Sequence, residues 1–400
     1  MTTATHYDVI ISGAGLAGAS MALALSKLNK ADGSKLSIAV VEAFTINDNL
    51  PKSYDARVIA LSHGTATYLQ ELGVWQTLKP DAMAIADIHI SDRGYYGKAR
   101  INAIDYNVSA LGFVSEMQAI GNCLITPLKQ CSNVHFIEGQ SITNINWQKS
   151  DVTVDLADGH SLSAELLLGC DGGQSVCRQQ AKISSQEFDY QQVAIIANVS
   201  PSKAHDSRAF ERFTEYGPLA MLPMTDGRCS LVWTVTPEQV APLMALSDDE
   251  FAQQLEHAFG HWLGSFTQVG KRFSFPLKLI QADEQIHHRM ALIGNASHTL
   301  HPIAGQGFNL GMRDVKQMTQ TIAQALSDNA DIGELKYLRH YADNRREDHG
   351  QVIALTDSLV HLFSNKHFPL VVGRGIGLKV MNYIAPLKKA LAEKTMGHTR

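Results

Sequence analysis

Four hundred residues exceed what one hydrophobic core usually serves, so two units of structure are expected. With 45% hydrophobic and 18% charged residues and a net charge of −5, the chain has no basic field for a polyanion; nucleic-acid binding is excluded and a small-molecule partner favoured. The five cysteines, Cys123, Cys131, Cys170, Cys177 and Cys229, form no Cys-x-x-Cys pair, which argues against a metal site or a disulfide framework and for a reducing, cytoplasmic setting. No leader-like segment precedes the first strand pattern, and the apolar stretches are too short or too charged to span a bilayer.

Tyr7 to Ser12 reads as a buried strand and runs straight into Gly13-Ala14-Gly15-Leu16-Ala17-Gly18. A helix follows with Met21, Leu25 and Leu28 on one face, then a second strand over 37–41 ending at Glu42. This is a β-α-β unit, so a parallel sheet with right-handed crossovers is expected. Val152 to Leu156 alternates with period two, Asp158-Gly159 makes a turn, and 161–164 returns as its partner. Leu166 to Leu168 reads as a separate short strand entering Gly169-Cys170-Asp171-Gly172. Strand candidates at 193–196, 219–222 and 230–233 suggest an inserted sheet. A last buried strand over 290–293 enters Gly294-Asn295, and helical patterns continue to the end.

The first glycine loop follows a strand and opens a helix, the setting in which glycines let the backbone approach a pyrophosphate at a helix N-terminus. Glu42, at the end of the second strand, is placed to accept the hydroxyls of an adenosine ribose. FAD and NAD share this fingerprint, so a second signal must decide. It lies in the run from Gly294 to Gly311, where a strand end leads through Pro302, Gly305, Gln306, Gly307, Phe308 and Asn309 into a helix with Val315, Met318, Ile322 and Leu326 on one face. A helix N-terminus aimed at N1 and the C2 carbonyl of a flavin would stabilise its anionic reduced ring. The two loops would then grip one extended cofactor at its two ends. No second GxGxxG exists; Gly373-Arg374-Gly375-Ile376-Gly377 has the wrong spacing.

The N-terminal GAGLAG, the central Gly169-Cys170-Asp171-Gly172 with Arg178, and the late GNASHTLHPIAGQGFNLGMRD resemble the flavoprotein aromatic hydroxylases. Tyr54-Asp55-Ala56-Arg57, Glu211-Arg212-Phe213-Thr214 and the run from Gly217 to Pro223 are similar to the ubiquinone-biosynthesis hydroxylases among them. Gly294-Asn295 replaces the usual Gly-Asp, a variant similar to that of the 2-polyprenyl-6-methoxyphenol hydroxylases; Asn295 keeps a hydrogen bond to a ribityl hydroxyl without the charge. The resemblance implies an α/β fold: a Rossmann-like FAD-binding domain in segments 1–75, 101–180 and 276–330, a substrate domain from 76–100 and the inserted β-sheet 181–275, and C-terminal helices over 331–400. It also implies that Arg57 pairs with the phosphate or ribose region of FAD, with a surface ion pair to Asp55 as the alternative, and that Gln118, where the family commonly has Arg, sits near the flavin. Asp171 would serve the cofactor and a transient NAD(P)H site.

The implied reaction is hydroxylation of a prenylated phenol with NAD(P)H and O₂, the cofactor supplying the redox chemistry and the protein orienting the ring and excluding water. Ionising a phenol of pKa near 10 at neutral pH costs about 4 kcal/mol, so a base or hydrogen-bond donors should assist. His298 and His301, close to Pro302 in the flavin-side loop, are the candidates, with structural hydrogen bonding as the alternative. Leu219, Met221, Leu222 and Trp233 could wall a channel for the tail or form ordinary sheet core. Ile376, Val380, Ile384, Leu387 and Leu391 recur at helical spacing among Arg374, Lys379, Lys388, Lys389 and Lys394. That segment could touch the anionic inner-membrane surface, dock another ubiquinone-biosynthesis protein, or pack on its own domain. Two rival readings are a hydroxylase of a small soluble phenol and a non-catalytic flavin-binding scaffold.

Overall fold

The computed structural model of the chain describes residues 4–45, 57–93, 98–300 and 305–363. At its centre five parallel strands lie in the order Met290–Leu292, Ser161–Gly169, Thr5–Ser12, Ile38–Glu42 and Val134–Glu138. Val9, Ile10, Ile11, Ile38, Ala39 and Val40 are fully enclosed, as strands covered on both faces must be. The patterns at 161–164 and 166–168 turn out to be one continuous strand, Ser161–Gly169. One edge of that strand pairs with Thr5–Ser12 along its length. The other takes antiparallel Val152–Leu156 over its first half and parallel Met290–Leu292 over its last, so the chain needs no break.

The first helix, Leu16–Leu25, is buried on every side from Gly18 onward rather than along a single stripe. It is wedged between the parallel layer and two other helices, Met117–Leu128 and Gln306–Ser327, whose apolar residues join it in one core. Val315, Met318 and Ile322 of the late helix lie in this core, with Leu326 packed at its edge.

A second sheet runs in the order His298–Thr299, Phe273–Ala282, Ser185–Pro201, Cys229–Val235, Gly217–Pro223, Arg208–Thr214, Asp87–Asp92 and Lys98–Asn102, with Phe266–Val269 beside the end of the third of these. All its pairings are antiparallel except Arg208–Thr214 with Asp87–Asp92. A three-stranded sheet, Val58–Ser62, Gly112–Glu116 and Ala82–Ile85, joins it to the parallel unit. Val58, Ile85 and Val114 pack on Ala209 and Leu222 of the larger sheet.

Period-two alternation divides the larger sheet into two faces with different partners. Phe210, Leu219, Met221, Leu231 and Trp233 pack on the helix Asp248–Phe259 through Phe251, Leu255 and Phe259. That helix starts at a reciprocal Ser247–Glu250 cap and presents its apolar stripe to the sheet. Leu219, Met221 and Trp233 are therefore ordinary core, and the idea that they wall a substrate channel is corrected. Leu222, one residue out of phase with Met221, is on the opposite face, toward Val58 and Val114. Among the described residues no helix is long and apolar enough to cross a membrane. The basic segment from Arg374 to Lys394, with the glycines at 373–377, lies outside the described residues.

Candidate functional site

The residues Gly13 to Gly18, Glu42 and Asp171 sit at the C-terminal ends of the parallel strands, where open α/β sheets bind ligands. Gly13 leaves the first strand at φ +94, and its N–H donates to the Val41 carbonyl at 2.7 Å. A Cβ on Gly13 would meet the Cys170 carbonyl oxygen at 2.7 Å, and one on Gly18 would meet the Gly13 carbonyl oxygen at 1.9 Å. Those two glycines are required by the protein's own packing. Gly15 faces open space, with nothing within 4 Å of its added Cβ. Glu42 fixes the loop: its Oε2 accepts the Ala14 N–H at 2.6 Å and its Oε1 the Phe44 N–H at 3.1 Å.

Asp171 follows the Ser161–Gly169 strand and lies against Gly13. Its Oδ2 accepts the Cys177 N–H at 3.0 Å, but its Oδ1 is buried without a partner among the described residues. A buried oxygen with an unfilled lone pair suits the hydroxyl of a bound ligand. The back loop closes on the same place. A Cβ on Gly294 would sit 3.4 Å from the Ala17 methyl, and one on Gly311 would sit 3.2 Å from the Gly294 Cα. Leu16 and Ala17 at the start of the front helix, the Gly294 turn and the late helix thus meet from opposite ends of the chain. Asn295 is exposed beside them.

The late helix begins at Gly305, which adopts φ +61, and among the described residues no side chain caps it. Space is open at Gly307, Gln306 is buried, and Phe308 packs on the core. Uncapped first-turn N–H groups and a positive helix end make a receptive place for an electron-rich ligand edge. Asn309 contributes differently from the sequence expectation. Its Oδ1 accepts the Ser62 N–H at 2.8 Å and the Thr65 hydroxyl at 2.7 Å, while its Nδ2 donates to the carbonyls of Ala60 and Gly305. The side chain is fully used in stapling the helix to the Val58–Ser62 strand, which leaves only its backbone for a ligand.

Arg57 is also differently engaged: its guanidinium carbon lies 5.9 Å from the centre of the Phe275 ring in the larger sheet. Its carbonyl accepts the Met117 N–H at 2.8 Å, which brings the helix start bearing Gln118 alongside. His301 and Pro302 lie outside the described residues, as does Asp55.

His298 is not a base beside the ring. It is fully buried beneath the loop, and burial pulls its pKa down to about 3, so it stays neutral near pH 7. Around it is a cluster that sequence reading missed. Asp314 Oδ2 accepts the Gly294 N–H at 3.0 Å, and Oδ1 lies 2.7 Å from both Arg345 Nε and His349 Nε2. Arg345 and Arg313 both reach Asp348. Asp314, His298 and His349 bring possible metal-ligating atoms within 4.8 Å of one another, but the Arg345 guanidinium already supplies the countercharge. The cluster's work is to hold the Gly294 turn. In the sequence, His298, Arg313 and Asp314 fall inside the late motif, while Arg345, Asp348 and His349 are spaced along one face of the last described helix.

Two predictions follow from these contacts. Gly18→Ala should lower the melting temperature of the FAD-free protein, whereas Gly15→Ala should leave it unchanged and weaken FAD binding at least about tenfold, roughly 1.4 kcal/mol, in a fluorescence titration. The folded pKa of His298 is below its ordinary value of 6.5, so stability is complete above that value and falls as the pH drops from there toward about 3. Asp314, held below its ordinary 3.8 by His349 and Arg345 against the cost of burial, adds a further loss beneath that value. Urea midpoints should fall steadily from pH 7 to pH 4, and Asp314→Asn should cost about 3–5 kcal/mol at pH 7 by taking the buried carboxylate away from Arg345 and His349, with Arg345 left on Asp348 alone.

Residues 6–356 match a family model described as an FAD binding domain. Ubiquinone hydroxylase UbiL of Rhodospirillum rubrum is 33% identical over 395 residues, covering 98% of this chain and 89% of its own. The mitochondrial ubiquinone biosynthesis monooxygenase COQ6 of Xenopus tropicalis is 31% identical over 434 residues, covering 96% and 92%. Among solved structures, p-nitrophenol 4-monooxygenase PnpA from Pseudomonas putida superposes with a TM-score of 0.79 at 17% identity, covering 100% of both chains. Klebsiella pneumoniae HpxO, solved with FAD and uric acid, gives 0.75 at 17% identity, covering 98% and 97%. The glycine-only contacts at 13 and 18, the orphaned Asp171 oxygen and the uncapped late helix fit that cofactor. The chain belongs to the FAD-binding-domain family and is an FAD-dependent aromatic monooxygenase related to the ubiquinone-biosynthesis hydroxylases.

Proposed function

We propose that this protein hydroxylates the aromatic ring of a polyprenylated phenol in ubiquinone biosynthesis, with 2-polyprenyl-6-methoxyphenol as substrate and NAD(P)H and O₂ as co-substrates. The observation that carries the proposal is the meeting of the front glycine loop and the uncapped late helix across Ala17 and Gly294, next to a sheet face that is largely apolar. When bound, FAD supplies electron transfer and oxygen activation. The residues Gly13 to Gly18 would hold its pyrophosphate, Glu42 its ribose and Asp171 a hydroxyl. The first-turn N–H groups of Gly307, Phe308 and Asn309 would favour negative charge on the reduced ring. Asn295, Arg57 and Gln118 complete the proposed cofactor contacts.

The substrate wall we propose is the sheet face opposite Trp233, not Trp233 itself. Ala220, Leu222, Val232 and Ile196 are half-buried there, with Phe273 and Phe275 at the same face. Such a wall excludes water from a ring and accepts an apolar tail at about 0.8 kcal/mol for each buried CH₂. A cytoplasmic enzyme would reach a lipid-borne precursor at the inner membrane through its basic C-terminal segment, or through other ubiquinone-biosynthesis proteins. Support for the substrate class comes from the relatives, which span nearly the whole chain and are named a ubiquinone hydroxylase and a ubiquinone biosynthesis monooxygenase.

The protein reconstituted with FAD should oxidise NAD(P)H faster when a prenylated 2-methoxyphenol is added, and should yield a hydroxylated product. Half-saturation should come at about tenfold or more lower concentration than for the tail-less phenol, two buried CH₂ groups accounting for that factor. Equal response to both phenols would favour a small soluble substrate, and no response to either would favour a flavin-binding scaffold.

A further inference from the structure

One acid in the larger sheet keeps a buried oxygen with no partner among the described residues. Glu211 lies mid-strand, level with Ile90 on one side and Ala220 on the other, in a row that continues through Val232 and Ile196 to Phe273. Its neighbours in sequence point the other way. Phe210 packs on Phe259 with ring centres 5.4 Å apart, and Arg212 Nε donates to the Ala258 carbonyl at 3.2 Å. Glu211 therefore shares its face with Ala209 and Leu222, which meet Val58 and Val114 of the joining sheet. Two residues beyond Val58, Ala60 touches Gly305 at the start of the late helix. The acid thus occupies the face turned toward the cofactor unit.

Its Oε1 is buried and accepts no hydrogen bond, although the surrounding row is apolar. A carboxylate oxygen so placed is costly and adds no hydrogen bond to the described fold. Three charged residues of the same and the joining sheet have other contacts. Glu116 pairs with Arg228 at 3.1 Å, Arg208 with Asp87 at 3.6 Å, and Arg57 lies over Phe275. Burial alone lifts the Glu211 carboxyl to about 7, with no charged neighbour contributing. A base of that strength is ionised in part at neutral pH and close to optimal for proton transfer there.

We infer that Glu211 is the general base for the substrate's phenol hydroxyl, an assignment that rests on the aromatic-hydroxylation reading above. The phenol O–H bond breaks, its electron pair stays on the phenol oxygen, and the proton passes to a Glu211 oxygen. The phenolate so formed directs electron density to the ring carbon that takes up oxygen. That carbon's hydrogen leaves as a proton to water, its C–H electron pair restores the aromatic ring, and Glu211 returns its own proton to the phenol oxygen of the product, which resets the base. Without assistance only about one phenol in a thousand is ionised at pH 7.

The test uses the full-length, FAD-loaded protein, a prenylated 2-methoxyphenol, and the same phenol fluorinated on the ring to lower its pKa. Glu211→Gln keeps the shape and removes the base, and its FAD content and melting temperature report folding. The variant should make about a hundredfold less hydroxylated product per unit time, with less product per NAD(P)H oxidised. Its hydroxylation should lose the wild-type limb near pH 7 and climb with pH toward the phenol's own ionisation, and the fluorinated phenol should recover most of the loss. A variant with wild-type rate and pH profile, in an assay where the wild type is active, overturns the assignment alone. So does an equal loss on both phenols at every pH, which marks a structural role. A wild type that binds FAD and hydroxylates neither phenol overturns the assignment together with the function it rests on.

Discussion

Backbone meets backbone in this protein without side chains between, and the rest of the site depends on that. The Gly13 turn touches Cys170, the Gly18 position lies almost on the Gly13 carbonyl, and the Gly294 turn rests against Ala17 and Gly311. A Cβ has no room at Gly13 or Gly18, and Gly294 lies at van der Waals distance from the Ala17 methyl, so three strand ends, the start of the front helix and the second turn of the late helix are drawn to one spot. A cofactor laid there can be reached by main-chain N–H groups from both ends of the chain. Such groups carry no rotamer freedom to lose on binding. The Asp314 cluster serves the same arrangement from beneath, since its carboxylate receives the Gly294 N–H while Arg345 and His349 of the last helix hold it in place.

The larger sheet does a different task with an equally simple rule. Alternation assigns Met221 and Trp233 to the helix-covered face, and their neighbours Ala220 and Val232 to the face toward the cofactor unit. The first face is closed and provides stability. The second is half-buried and apolar, and Glu211 is its one carboxylate in the row from Ile90 to Phe273. A dry wall raises the carboxyl toward neutrality without any charged helper. The environment that suits an aromatic ring therefore also tunes the group proposed to deprotonate it.

Much of this was legible in the residues because it is local. The strand, GAGLAG loop, helix and Glu42 fall within one short window, and the spacing of Val315, Met318 and Ile322 marks the late helix. What escaped depends on partners distant in sequence. Alternation reveals that a strand has two faces, yet only the later helix Asp248–Phe259 decides that Trp233 turns inward to Phe251. Asn309 looks like a loop ligand until Ser62, Thr65, Ala60 and Gly305 are seen to consume its amide. His298 looks like a base until its burial is known. Glu211 was visible as part of a motif, but that its buried Oε1 finds no partner among the described residues is a property of the folded surroundings. His301, Pro302 and the basic C-terminal segment lie outside the described residues.

The claim on which everything rests is that one FAD molecule is held by both loops together. Hydrogen–deuterium exchange of the full chain, with and without FAD, reads the two loops in a single measurement. Slowed exchange on FAD addition is predicted in the 13–18 and 305–309 segments at once, with the same dependence on FAD concentration. Protection of one segment without the other, or of neither, would contradict a single extended cofactor spanning them.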